Sequence, residues 1–136
     1  MDQKLIDQYM DELLFAQQGE LDAVLMYNRL ADKVKDPKDA AVFRQLAAEE
    51  GRHASVFHNY TRQVLKPKKT KAVFVPMLYS IVGRKTLYPI IAKAEYDAAE
   101  KYKAIVSVFP DVESVMRDET RHGDTVQALL NGTGDA

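Results

Sequence analysis

Residues 50–60, EGRHASVFHNY, and residues 119–129, ETRHGDTVQAL, open on the same pattern, Glu-x-Arg-His, and that repetition decides how the rest of the chain is read. Residues three apart stand on one face of a helix, so each Glu and its His reach the same point beside the helix. With three histidines in 136 residues, chance yields roughly 0.2 Glu-x-x-His pairs. One pair would carry little weight. Two pairs in matching places of a larger duplication carry much more, and the duplication extends upstream: Glu20-LDAVLM-Tyr27 aligns with Glu95-YDAAEK-Tyr102 at Glu, Asp, Ala and Tyr. The chain therefore reads as two copies of one helical hairpin.

Working outward, apolar residues recur at helical spacing. Ile6, Tyr9, Leu13, Ala16, Val24 and Tyr27 predict a first helix from Leu5 to about Ala31. Asp36-Pro37 supplies a cap and a first-turn proline for a second helix, with Phe43, Leu46, Phe57, Tyr60 and Val64 carrying it to about Leu65. The stretch KPKKTKAVFVPMLYSIVGRK, residues 66–85, is interrupted by Pro76 and Gly83 and predicts a connection with at most a short helix. Thr86 is the expected cap of a third helix, Pro89 falling in its first turn, with Ile91, Ala98, Tyr102, Ile105 and Phe109 continuing to Pro110-Asp111. Val112, Val115, Val126 and Leu129 predict the fourth, from about Asp111. Two short links and one long one suit an all-α four-helix bundle of two hairpins joined by a crossover. A single domain is expected over residues 1–131, with 132–136 as a flexible, Gly-rich tail.

Composition narrows the chemistry. Nineteen Lys and Arg against 20 Asp and Glu leave a net charge of -1, which gives no general field for nucleic acid. The absence of cysteine excludes disulfides, thiolate zinc sites, thiol nucleophiles and cysteine-ligated clusters within the chain. A metal bound here must take oxygen and nitrogen ligands. MDQKLIDQYMDELLF carries acids among its apolar residues and does not read as a signal peptide, so a cytoplasmic location is expected.

The acids and histidines of interest fall on the apolar stripes. Glu50 and His53 lie between Leu46 and Phe57, Glu119 and His122 lie between Val115 and Val126, and Glu20 and Glu95 are placed likewise. Glu49, Glu100 and Glu113 fall off the stripes and are expected to face solvent, while His58 stands off the face of His53 and is set aside. Four carboxylates converging in an apolar interior each cost several kcal/mol if left unneutralised, and no Lys or Arg shares their stripes. Two divalent ions beside neutral imidazoles would balance four carboxylates, and an oxygen-rich set with one nitrogen per ion favours iron, with manganese possible.

With these ligand pairs and this repeat, the chain resembles the rubrerythrin-like branch of the ferritin-like superfamily over nearly all of residues 5–131, and it is similar to the ferritin-like domain fused to some membrane iron transporters. The resemblance implies two iron ions, with Glu20 and Glu95 as terminal ligands and Glu50 and Glu119 as the bridging carboxylates at the catalytic centre. It implies that His53 and His122 complete one ion each, and that Tyr27 and Tyr102 hydrogen-bond to ligands. Core packing accounts for the two tyrosines at least as well as a redox role does. The chain departs from the family in two places. It has no cysteine for a rubredoxin-type electron-transfer domain, so electrons must come from an external donor. Rubrerythrins carry an extra Glu one turn after the third-helix ligand, where this chain has Ala98, so the resemblance does not extend to a peroxidase cycle that exchanges ligands through that Glu.

Two function classes follow: a di-iron oxidoreductase that reacts with hydrogen peroxide or oxygen, and a non-catalytic iron binder for storage, delivery or sensing. The crossover adds a separate question. Lys66, Lys68, Lys69 and Lys71 beside AVFVPMLYSIV suit a cap over the bundle, a homodimer contact or an anionic membrane surface, with cap and dimer contact ahead on interface physics alone. The run from Ala72 to Val82 is too short to span a bilayer.

Overall fold

The computed structural model describes residues 2–131, and all regular structure among them is helical. In chain order the elements are α1 (Gln3–Gln8), α2 (Met10–Lys33), α3 (Pro37–Thr61), α4 (Thr70–Val82), α5 (Arg84–Lys103) and α6 (Val112–Ala128). The chain divides into two compact units, Met1–Pro76 and Met77–Ala136. The tail expected at 132–136 lies outside the described residues.

The first unit is built on the α2–α3 hairpin. The helix expected from Leu5 onward is interrupted at Tyr9, whose φ of -105° and ψ of 12° leave the helical region and separate α1 from α2. Asp36 caps α3 by accepting from the Lys38 N–H at 2.8 Å, and Pro37 occupies the first turn, where its missing N–H costs no bond. Leu13, Leu30, Phe43, Leu46 and Phe57 are buried on the paired helices, and the Tyr27 ring stacks on Phe43 with centroids 5.8 Å apart. Gln17 on α2 accepts from the Thr61 hydroxyl and donates to the Gln63 carbonyl at 2.8 Å, which ties the end of α3 back to α2. The helix expected to reach Leu65 therefore ends at Thr61, with Arg62 in the left-handed region (φ 57°) and Val64 88% exposed.

Residues 66–85 hold more helix than the sequence reading allowed. α4 runs 13 residues straight through Pro76. A mid-helix proline removes the one bond to the carbonyl four residues earlier, here that of Ala72, while bonds either side persist: Val73 N–H to Lys69 O at 3.0 Å and Gly83 N–H to Tyr79 O at 2.9 Å. Gly83, with a φ of 79° that side-chain-bearing residues rarely adopt, is the single residue between α4 and α5.

That turn also moves the start of α5. The helix begins at Arg84, with the Gly83 carbonyl accepting from Leu87, so Thr86 lies inside it and not at its cap, and Pro89 sits beyond the first turn. Arg84 holds the far end of the α5–α6 hairpin: its guanidinium donates to the Leu129 carbonyl at 2.8 Å and lies over the Tyr88 ring at 5.4 Å. α5 stops at Lys103, short of the expected Pro110, and successive turns carry the buried Ile105 and Phe109 to α6. Val112, Val115, Val126 and Leu129 are buried as their spacing predicted.

Candidate metal centre

Each hairpin carries its own trio of two carboxylates and one imidazole. In the first unit Glu20 comes from α2, and Glu50 and His53 from one turn of α3. His53 Nδ1 lies 3.0 Å from Glu50 Oε1 and 3.5 Å from Glu20 Oε1. In the second unit Glu95 comes from α5, and Glu119 and His122 from one turn of α6. His122 Nδ1 lies 2.9 Å from Glu95 Oε2, a hydrogen bond, and 3.3 Å from Glu119 Oε1. The same ring nitrogen is thus the meeting point in both trios, and the sequence repeat is repeated in geometry.

All six side chains are buried, from 0% exposure for the two histidines to 6% for Glu95. Within each trio the donor atoms lie within 4.8 Å of one another, the separation at which they can share one ion. No other Asp, Glu or His among the described residues joins such a cluster. His58 is half-buried and takes no part, Glu100 and Glu113 are exposed, and Glu49 is half-buried and accepts from Gln45 at 2.9 Å.

The donor sets fit a metal. Two carboxylates against one imidazole, which carries at most one positive charge, leave each trio negative in a buried place, and no Lys or Arg is buried among the described residues. A divalent cation held by the three side chains would offset that charge. One nitrogen and several oxygens suit iron or manganese better than thiolate-seeking or imidazole-rich metals.

Residues beside the trios in sequence pack closely on one another. Gly123, next to His122, lies against the Tyr96 ring: a Cβ there would come within 2.8 Å of three ring atoms. Tyr96 in turn donates to Asp124 Oδ1 at 2.6 Å, and that bond raises its pKa above the ordinary tyrosine value. Tyr27 and Tyr102 are buried, and the contact resolved for Tyr27 is its stacking on Phe43. Asp39, which the stripe spacing does not single out, is 1% exposed. Its signal was positional: it stands in the first turn of α3, where free N–H groups and the helix dipole favour a carboxylate.

A family model described as rubrerythrin matches residues 11–130. No curated protein and no solved structure matches the chain.

Proposed function

This chain belongs to the rubrerythrin family, and on that premise we propose that it is a cytoplasmic di-iron oxidoreductase acting on hydrogen peroxide or oxygen. Its fold class, all-α and ferritin-like, agrees with that family. The observation that carries the reading is the duplicated buried trio, in which one His Nδ1 stands within 3.5 Å of both carboxylates in each hairpin.

The two trios together would hold two iron ions, His53 and His122 completing one each, Glu20 and Glu95 as terminal ligands, and Glu50 and Glu119 shared between them. Four carboxylates against two divalent ions make a neutral set, which lowers the cost of burying each one. When bound, such a pair of ions supplies one electron each to an O–O bond, and cleavage of hydrogen peroxide to two waters consumes two electrons and two protons. The protein's part is to hold the donors in register, to keep bulk water out with the buried aromatic and aliphatic residues around them, and to deliver protons. Buried Tyr27 and Tyr102 are the proposed hydrogen-bonding supports of the ligands. With no cysteine among these 136 residues, re-reduction would draw on a donor outside them.

Ala98 favours a second reading, iron binding for storage, delivery or sensing. It stands one turn after Glu95, so a carboxylate that could exchange onto the centre there is missing. One experiment separates the two. Protein loaded anaerobically with Fe(II) is mixed with stoichiometric peroxide or with oxygen, followed by ferric absorbance, then re-reduced and pulsed again. Oxidation by peroxide at least as fast as by oxygen, repeated on the second pulse and lost in Glu119→Ala, supports the oxidoreductase. Release or deposition of iron after one oxidation assigns the chain to the binding role.

A further inference from the structure

α4 is turned inside out relative to an ordinary surface helix. Its one buried side chain is Ala72, while Val73, Phe74, Met77 and Ile81 are 61%, 53%, 49% and 71% exposed. At 100° per residue these four fall within an arc of about 100°, roughly opposite Ala72, with Val73, Met77 and Ile81 forming one ridge at four-residue spacing. A segment that capped the protein would bury such residues. Solvent-facing apolar ridges mark a surface meant to be covered.

The charge around the ridge identifies the cover. Residues 66–85 contain Lys66, Lys68, Lys69, Lys71, Arg84 and Lys85 and no Asp or Glu. The lysine-bearing approach is held in place: Asp22 on α2 accepts from the Lys68 N–H at 2.7 Å, and Gln18 donates to the Lys66 carbonyl at 2.9 Å. All five of these lysines are exposed. If a second copy packed its own ridge on this one across a two-fold axis, basic ends would meet basic ends with no acid on either segment to offset them. An anionic lipid surface answers both features at once, taking the apolar ridge at the headgroup boundary and the flanking cations at its phosphates.

We propose that α4 and its flanking lysines dock this protein on an anionic membrane surface, lying in the interface with Phe74, Met77 and Ile81 inward. No helix among the described residues is long and apolar enough to cross a membrane, so the contact is peripheral. It is independent of the metal centre, and apo and iron-loaded protein should behave alike.

The test uses the whole chain and two vesicle types, phosphatidylcholine alone and equal parts phosphatidylcholine and phosphatidylglycerol. Co-sedimentation with the anionic vesicles only, weakening as salt rises, is the expected result. Lys68→Glu with Lys69→Glu should weaken it by at least about tenfold, each lysine near such a surface being worth roughly fivefold. Phe74→Ser with Ile81→Ser should abolish it while leaving the helical circular dichroism unchanged, since both residues are exposed. The chain has no tryptophan, so Phe74→Trp provides a clean reporter whose emission should shift to the blue on the anionic vesicles. No binding to either vesicle, equal binding to both, or binding untouched by the paired serine substitutions overturns the proposal. So does a dimer in sedimentation velocity that the serine pair dissociates in the absence of any vesicle binding, which would give the ridge to a second copy.

Discussion

His122 Nδ1 reaches Glu95 Oε2 across the α5–α6 hairpin at 2.9 Å, closer than it comes to Glu119, its partner on its own helix, at 3.3 Å. In the first hairpin the order is reversed: His53 Nδ1 is 3.0 Å from Glu50 on its own helix and 3.5 Å from Glu20 across the pair. Each imidazole is therefore the hinge of its trio, and the two trios are near copies with slightly different balance.

If each imidazole completes one ion, His53→Ala and His122→Ala should each lower bound iron from two per chain toward one after anaerobic Fe(II) loading. The glutamates that remain keep the other ion. Metal analysis by mass spectrometry on desalted protein measures this. Retention of two ions by both variants would rule out the assigned ligand set.

Metals bound by buried carboxylates stabilise the folded chain, because the unfolded chain gathers no such set of donors. At free iron about a hundred times the dissociation constant the gain is about 2.7 kcal/mol. Stripping the metal with a chelator should therefore lower the melting temperature by several degrees, and adding iron back should restore it. Scanning calorimetry of apo and reloaded protein that gives one and the same transition would contradict the buried site.

Gly123→Ala sets two effects of opposite sign against each other. In a helix interior, Ala is favoured over Gly by up to about 1 kcal/mol. Here the added Cβ collides with three atoms of the Tyr96 ring, all within 2.8 Å, and overpacking costs about 1–3 kcal/mol. The clash should win, for a net loss of about 1 kcal/mol. Adding Tyr96→Ala removes the obstacle, so Gly123→Ala should become stabilising in that background. Urea denaturation of the four members of the cycle tests this, and simple additivity would refute it.

Tyr96 donates to Asp124, which favours its protonated form and raises its pKa. A group whose folded pKa is raised contributes stability that is fully present below its unfolded pKa and lost as pH climbs through the folded value. Tyr96→Phe should accordingly cost a little stability near neutral pH and nothing once Tyr96 has ionised, above the ordinary tyrosine range. Alkaline titration of tyrosinate absorbance should show a late-ionising component that is missing in Tyr96→Phe and brought back to the ordinary range in Asp124→Asn. A titration unchanged by either substitution would count against the bond.

The hairpins and the burial of Glu20, Glu50, His53, Glu95, Glu119 and His122 were legible in the sequence because both signals are local. A helix repeats every 3.6 residues, so burial of Leu13, Phe43, Val115 or Val126 follows from spacing alone, and Glu three before His shares a face whatever the helix packs against. Element limits were not legible, because they depend on contacts made far along the chain. Gln17 ties down the end of α3 by hydrogen bonds across 44 and 46 residues, and Val64 stands in solvent despite its place in the stripe. The persistence of α4 through Pro76 rests on backbone bonds on both sides that a proline-breaks-helix rule does not weigh. Only the tertiary structure decided that Nδ1 is the nitrogen both carboxylates of each trio meet, that Gly123 makes room for Tyr96, and that the apolar residues of α4 point outward. Periodicity states which residues share a face, whereas the side to which that face turns, and which atom of a ring arrives first, are set by how the elements pack.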